Sequence, residues 1–173
     1  MSNIFAAVSK EPPEPDPFSA EEFGAWRGLL RLHEHVTREL DRRLTREHDL
    51  SLQAYGVLIT LVTVPERRLR MTDLAARVLV SPSGITRLVE RLAQEGLVRR
   101  ERDTADGRSF HAVLTPKGLR KLRSAQVTHH AVARERYLGG LSATELRTLG
   151  ELLERAVPRI VTAAEWPEPT EME

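Results

Sequence analysis

The chain has 173 residues, a formal net charge of +1, no cysteine and only 5% aromatic residues. The absence of cysteine excludes disulfides and a thiolate redox switch. No run approaches the roughly 20 apolar residues of a membrane-spanning helix, and the first residues lack a basic leader followed by a long apolar core. We therefore expect a cytoplasmic protein that does not contact a membrane.

The first predicted elements are an arm and a long helix. Residues 1–18 contain four closely spaced prolines among acidic residues, which favours a mobile or extended arm over a helix. Ser19 and Glu22 have the spacing of a capping box, so a helix is predicted over about 19–48. A helix of that length needs a partner along its apolar face, which comprises Trp26, Leu29, Leu30, Val36, Leu40 and Leu44.

A shorter helix and an extended piece come next. Ser51 can cap a helix that holds Tyr55, Leu58, Leu61 and Val62 and ends near Pro65. A short extended segment, Leu69 to Met71, follows it. Residues 71–118 then have the order helix, tight turn, second helix and two-stranded hairpin, which indicates a winged helix-turn-helix.

The second helix of that unit is predicted from about Pro82 to Glu95. Ser81 can cap its start, Pro82 suits the first helical position, and Gly96 suits the residue after the last turn. An apolar stripe of Ile85, Leu88, Val89 and Leu92 faces inward, which leaves Ser83, Thr86, Arg87, Glu90, Arg91 and Gln94 outside. Arg can bond guanine in the major groove, and Ser or Thr can contact a base edge or a phosphate. A solvated amphipathic helix would present the same polar face.

A β-hairpin with a long polar tip is predicted after this helix. The chain leaves the helix in extended form at Leu97–Arg99, turn-forming residues fill 103–107, and Ser109–Leu114 alternates apolar Phe110, Ala112 and Leu114 with the other three residues. Arg102 and Arg108 flank the tip, and Asp106 could orient Arg108 through an ion pair. An oriented guanidinium on such a wing suits the narrow, negative minor groove.

Two further helices are predicted at the C-terminal end. Thr115 and Pro116 begin one that runs to about Leu138, before two glycines, and Ser142 with Glu145 forms a second capping box. The last helix carries Leu146, Leu149, Leu152, Leu153, Val157 and Ile160, more apolar surface than an isolated helix leaves in water. With the first helix it is predicted to form a dimer interface; the alternative is packing within a monomeric bundle. Residues 163–173 are predicted to be a loose tail.

The stretch LAARVLVSPSGITRLVERLAQEGLVRRERDTADGR, followed by LTPKG, resembles the MarR-type regulators of multiple antibiotic resistance. Its most specific part is the Asp-x-Arg of the wing followed by Leu-Thr-Pro. The resemblance covers about Ser19 to Ile160. It implies one mainly α domain over 19–162 with a small β-hairpin wing, in which the winged helix-turn-helix (51–114) lies between dimerisation helices (19–48 and 115–160). Members of this family are homodimers in which each winged unit contacts one half of a palindrome.

The resemblance also implies roles for individual residues. By position, Arg87 resembles the base-contacting arginine of the recognition helix, and Arg108 the minor-groove arginine of the wing, supported by Asp106. Gly107 departs from the pattern, since many relatives have a second arginine there. The predicted DNA-contacting residues are Thr72, Ser81, Ser83, Thr86, Arg87, Arg91, Asp106 and Arg108.

The distribution of charge agrees with this assignment. Residues 66–123 hold 14 Lys and Arg against 7 Asp and Glu, which gives +7 and leaves −6 for the remainder. The asymmetry favours phosphate contact by the winged unit and self-association by the rest.

A small-molecule effector is a further implication of the resemblance. Family members often bind small aromatic acids or other anions between the dimer helices and the winged unit, where Trp26, Arg27, His33 and Tyr55 could line the cleft. Urate-responsive members have an Asp where this chain has Gly56, which argues against urate. Zinc-sensing members have Glu-His in place of Ala54 and Tyr55.

No metal or cofactor is expected. The adjacent histidines His33/His35 and His129/His130 lack the spacing that places two ligands on one helix face. An enzyme is not expected either, because the sequence has no Gly-rich phosphate loop, no Cys nucleophile and no distinguishable Ser, His and acid grouping.

The sequence therefore predicts a ligand-responsive transcriptional regulator, a repressor that binds duplex DNA as a homodimer. The alternative is a winged-helix protein-interaction module or a metal-sensing regulator. Arg87, Arg91 and Arg108, together with the +7 block, favour the first.

Overall fold

The computed structural model describes residues 17–78, 81–103 and 109–157. These fall into two compact units, one ending at His35 and the other beginning at Val36. Apart from its last two residues the predicted arm lies outside the described ranges, as do the predicted tail and the wing residues Asp106 and Arg108. No helix within these ranges is long and apolar enough to cross a bilayer.

The described chain is mainly helical. In chain order the elements are α1 (Ala20–His48), α2 (Leu52–Val62), a 3₁₀ turn (Pro65–Arg67), β1 (Arg68–Arg70), α3 (Met71–Val78), α4 (Pro82–Gln94), β2 (Val98–Arg102), β3 (Phe110–Leu114), α5 (Pro116–Ala133), a π-helical turn (Arg134–Leu138) and α6 (Ala143–Ala156). The predicted class, mainly α with a small β wing, is confirmed.

The strands form one antiparallel sheet in the order β1-β3-β2. Leu69 pairs with Ala112 on one side of β3, and Arg102 pairs with Phe110 on the other. The predicted hairpin is therefore a three-stranded sheet that includes the segment before α3. The predicted alternation along β3 is wrong, because His111 and Val113 are buried together with Ala112 and Leu114. As the middle strand, β3 has a second covered face, where Arg68 lies 3.3 Å from Nδ1 of His111.

The core forms where α2, α4, α5 and the sheet meet. The inward stripe of α4 is confirmed, since Ile85, Val89 and Leu92 are buried and Leu88 packs against them half-buried. Other fully buried side chains include Leu44, Leu58, Leu61, Leu74 and Leu122. This packing fixes which face of α4 remains in solvent.

A tight junction joins the end of α4 to the start of α5. The hydroxyl of Thr115 donates to the carbonyl of Gly96 at 2.8 Å and accepts from the backbone N–H of Gly118 at 3.0 Å. Gly118 is required here because a Cβ would collide with the carbonyl oxygen of Leu97. The junction thereby ties α5 to the turn between α4 and β2.

The C-terminal end of α5 differs from a regular α-helix. The α-helix ends at Ala133, and one π-helical turn continues to Leu138, with the N–H of Gly139 donating to the carbonyl of Arg134 at 2.8 Å. The capping box of α6 is confirmed, with Ser142 and Glu145 bonding each other's backbone.

Both compact units expose apolar side chains. In the first unit, Phe23, Trp26, Leu29, Leu30 and Leu32 are each about half exposed on α1. In the second, α6 has no buried residue and exposes Leu146, Leu149 and Leu152. Of the apolar face predicted for α1, the chain itself buries only Leu40 and Leu44.

Candidate nucleic-acid interface

The start of α4 has the predicted cap. The Ser81 hydroxyl accepts a hydrogen bond from the N–H of Gly84 at 3.2 Å, and Pro82 takes the first helical position. Ser81 and Ser83 are exposed, with their hydroxyl oxygens 3.4 Å apart. The exposed N-terminus of a helix carries partial positive charge, which favours a nearby phosphate.

Arg87 is the notable cation of this helix. It is exposed, one turn beyond Ser83 on the same face, and within the described ranges it forms no hydrogen bond or ion pair. Thr86 beside it is half-buried. An unengaged guanidinium on a rigid helix keeps its donors available for an external acceptor such as a guanine edge.

The next two charged residues of α4 are held by the protein. Glu90 accepts from the NH1 group of Arg100 on β2 at 2.9 Å. Arg91 lies 3.4 Å from the hydroxyl of Ser51 and 3.8 Å from the carboxylate of Glu95. The outer face of α4 thus has a free arginine in its first half and tethered charges in its second half.

The base of the wing is closed by a buried carboxylate. Asp103 is 7% exposed, its backbone N–H donates to the carbonyl of Ser109 at 2.9 Å, and its side chain accepts from Arg70 at 2.7 Å. Nε2 of His111 lies 3.9 Å from the same carboxylate. The two strands of the wing are therefore held together where the loop begins.

A cleft lies between the helix-turn-helix and the sheet. It has a volume of about 340 Å³ and is lined by Arg70, Thr72, Thr86, Arg100, Ser109 and Phe110, with Met71 beneath. The cleft brings two predicted DNA-contacting residues, Thr72 and Thr86, to one place. Ser81, Ser83, Arg87 and Arg91 follow along α4, while Asp106 and Arg108 lie outside the described residues.

Sequence reasoning missed Arg70 and Arg100. Their signal was present in the register of the hairpin, because counting back from the polar loop places Arg102 opposite Phe110 and Arg100 opposite Ala112. The guanidinium of Arg100 lies 4.7 Å from the ring centroid of Phe110. The pairing of Arg70 with Asp103 needs the contact between β1 and β3, which no local pattern announces.

The predicted effector residues differ in their surroundings. Trp26, Arg27 and His33 are exposed on α1, and the guanidinium of Arg27 lies 5.6 Å from the Phe23 ring centroid. Tyr55 is 3% exposed, its hydroxyl has no hydrogen-bond partner among the described residues, and burial raises its pKa. Its ring stacks on His129 of α5 with centroids 4.8 Å apart.

Burial also acts on His129. Desolvation, with a smaller contribution from the charge of His130, lowers the pKa of His129 to about 4. No group of three or more His, Asp or Glu side chains within the described ranges is arranged to hold a metal ion.

Comparison with known proteins is consistent with this geometry. The family model of the MarR family matches residues 48–109. The chain is 28% identical to the HTH-type transcriptional repressor IacR of Pseudomonas putida over 147 residues, which is 84% of each protein.

Two solved structures share the fold. The MarR family regulator Sco3205 of Streptomyces coelicolor, solved in complex with DNA, is 32% identical and superposes with a TM-score of 0.75 over 90% of this chain and 99% of that one. CouR of Rhodococcus jostii RHA1, solved bound to p-coumaroyl-CoA, is 27% identical with a TM-score of 0.66 over 79% of this chain and 94% of that one.

Proposed function

The chain belongs to the MarR family of transcriptional regulators, and we propose that it represses transcription in the cytoplasm by binding a palindromic operator as a homodimer. The observation that carries this proposal is the exposed face of α4. A capped, rigidly packed helix there presents an arginine without a partner in the described chain beside a positively charged wing.

The proposed contacts follow from chemistry. Arg87 bonds a guanine edge in the major groove, and Ser81, Ser83 and Thr86 contact phosphates or base edges near the start of α4. Arg91 contacts the backbone farther along the helix. Arg108, oriented by Asp106, enters the minor groove. Sco3205 supports the duplex as the partner, since it was solved with DNA.

A second copy of the chain is proposed to cover the apolar faces. The leucines of α6 and the aromatic and aliphatic residues of α1 leave more apolar surface in water than a soluble monomer usually exposes. Two winged units joined by such an interface would match two half-sites about one helical turn, roughly 10 base pairs, apart.

Sedimentation of the purified protein tests the dimer. Leu149→Glu places a charge in the exposed stripe of α6 and is expected to shift the protein to monomer. Arg147→Glu, a charge reversal at an exposed polar position of the same helix, is the matched control and should leave the dimer intact. A wild-type monomer, or equal behaviour of the two variants, contradicts the proposed interface.

A small-molecule effector is also proposed, and the ligand-bound CouR structure supports it. Trp26, Arg27, His33 and Tyr55 are the candidate contacts, which suit an aromatic anion. Such a ligand releases DNA only if it binds the two states of the dimer with different affinity. Titration of aromatic acids into the preformed protein–DNA complex, followed by anisotropy, tests this part independently.

Binding of the purified protein to its own upstream DNA tests the central proposal. Several phosphates neutralised per winged unit predict a slope of log affinity against log salt steeper than roughly −4. A flat slope, or equal affinity for upstream and unrelated DNA, contradicts the proposal. Protection of a single asymmetric half-site contradicts the dimeric mode.

A further inference from the structure

We infer that the cleft between α4 and the wing is a seat for one backbone phosphate of the DNA duplex, contacted by Arg70 and Arg100. The inference rests on the proposed function and names two binding residues that the helix and the wing tip do not include. It concerns the strand of DNA that runs between the two grooves.

The position of the cleft follows from the geometry of duplex DNA. A backbone strand separates the major groove from the adjacent minor groove. If α4 occupies the major groove and the wing tip the minor groove, that strand must pass between them. The cleft occupies this place, because Thr86 of α4 lines one side while Arg100, Ser109 and Phe110 of the wing sheet line the other.

The lining has the chemistry of a phosphate site. It combines the guanidinium groups of Arg70 and Arg100 with the hydroxyls of Thr72, Thr86 and Ser109, and it includes no carboxylate among the described residues that line it. Arginine and hydroxyl side chains are common donors to DNA phosphates. A volume of about 340 Å³ admits a phosphate group with room for water.

Both arginines are oriented before any ligand arrives. Arg100 is held by Glu90 at 2.9 Å and by the face of Phe110, and Arg70 is held by the buried Asp103 at 2.7 Å. Each ion pair engages one terminal nitrogen, and a guanidinium has five N–H donors. The carboxylates therefore fix the two side chains and leave donors for an anion, which lowers the entropy lost on binding.

The sharpest test compares neighbouring arginines of β2. Arg100→Gln removes a charge on the cleft side, whereas Arg99→Gln removes the same charge from the adjacent residue, which is 61% exposed on the other face and paired with Glu101. We expect Arg100→Gln to weaken operator binding roughly tenfold and to reduce the salt slope by about 0.9, as for one lost phosphate contact. Arg99→Gln should change affinity less than about twofold, like any screened surface charge. Equal effects of the two variants overturn the inference.

A second variant separates contact from support. If Arg100 only braced α4 through Glu90, Glu90→Gln would weaken binding as much as Arg100→Gln. If Arg100 contacts phosphate, Glu90→Gln should bind at least as tightly as wild type, because the guanidinium gains a free donor and a repelling carboxylate disappears. Thermal unfolding of each variant shows whether the fold is retained.

Neutral methylphosphonate substitutions in the operator locate the phosphate. One substitution between the two groove contacts should weaken wild type about tenfold and leave Arg100→Gln unchanged. Equal losses for both proteins overturn the inference. So does a cleft that binds only free anion, in which inorganic phosphate competes more strongly than chloride at equal ionic strength while no methylphosphonate position depends on Arg100. If wild type binds no duplex at all, the proposed function itself fails, so the two failures are distinguishable.

Discussion

The buried histidine of α5 leads to a quantitative prediction about stability and pH. His129 stacks on Tyr55 from α2, meets the edge of His130 on its own helix, and has a pKa lowered to about 4. The folded protein therefore favours the neutral ring, whereas the unfolded chain binds a proton near pH 6.5. Stability from this group is present above pH 6.5 and is lost as the pH falls toward 4.

The size of the effect follows from the two pKa values. Between pH 7 and pH 5 the unfolded state becomes almost fully protonated at this position while the folded state stays neutral. With the ordinary value of 6.5 and a folded value of about 4, the linkage relation gives at most about 2 kcal/mol over that interval, since the ring keeps some contact with solvent. The pKa values of Glu47, Glu101 and Glu145 are also lowered, from 4.5, so their stabilisation is lost only at more acidic pH.

Urea unfolding at fixed protein concentration, at pH 9, 7, 6 and 5, measures the effect. His129→Phe keeps a ring against Tyr55 and removes the titration, so its free energy of unfolding should fall less than that of wild type between pH 7 and 5. The two curves should run parallel between pH 7 and 9. His130 retains its own contribution in the variant, because burial lowers its pKa as well. Parallel curves across the whole range would refute the reasoning.

Further predictions concern DNA binding and packing. Arg87→Ala should cost about 1–3 kcal/mol on the operator and relax the preference at one base position per half-site, measured by anisotropy on single-base operator variants. Arg108→Ala should weaken binding to most sequences and flatten the salt slope, and Asp106→Ala should do so more mildly; an unchanged operator affinity in Arg108→Ala would remove the wing from the interface. Gly118→Ala should lower stability by about 1–3 kcal/mol in urea unfolding because its Cβ meets a backbone carbonyl, while Gly150→Ala, with open space around it, should be neutral or slightly stabilising.

Local chemistry made much of the fold predictable. Helix starts at Ser51, Ser81, Thr115 and Ser142 follow from hydroxyl caps, and each of these side chains accepts the expected backbone N–H. The inward face of α4 followed from its helical period. These features depend on neighbours within four residues, which a single sequence displays directly.

What depends on distant neighbours was not predictable. The pairing of β1 with β3 joins residues far apart in the chain, and it turned an expected two-sided strand into the covered middle of a sheet. The tethering of Arg100 by Glu90 and of Arg70 by Asp103 follows from that assembly. A sequence shows that arginines are numerous but not which ones the protein itself engages.

The arrangement of the sheet has a consequence for solubility. The outer strands β1 and β2 have the sequences RLR and VRRER, so arginines occupy both edges while the more apolar β3 is enclosed between them. Unprotected edges are templates for strand addition between molecules, and charged side chains on them oppose it. A protein that exposes leucines for helical association therefore has a sheet that resists a competing, strand-mediated route to aggregation. Neutralising these edge arginines would be expected to promote precipitation even where the fold is unchanged.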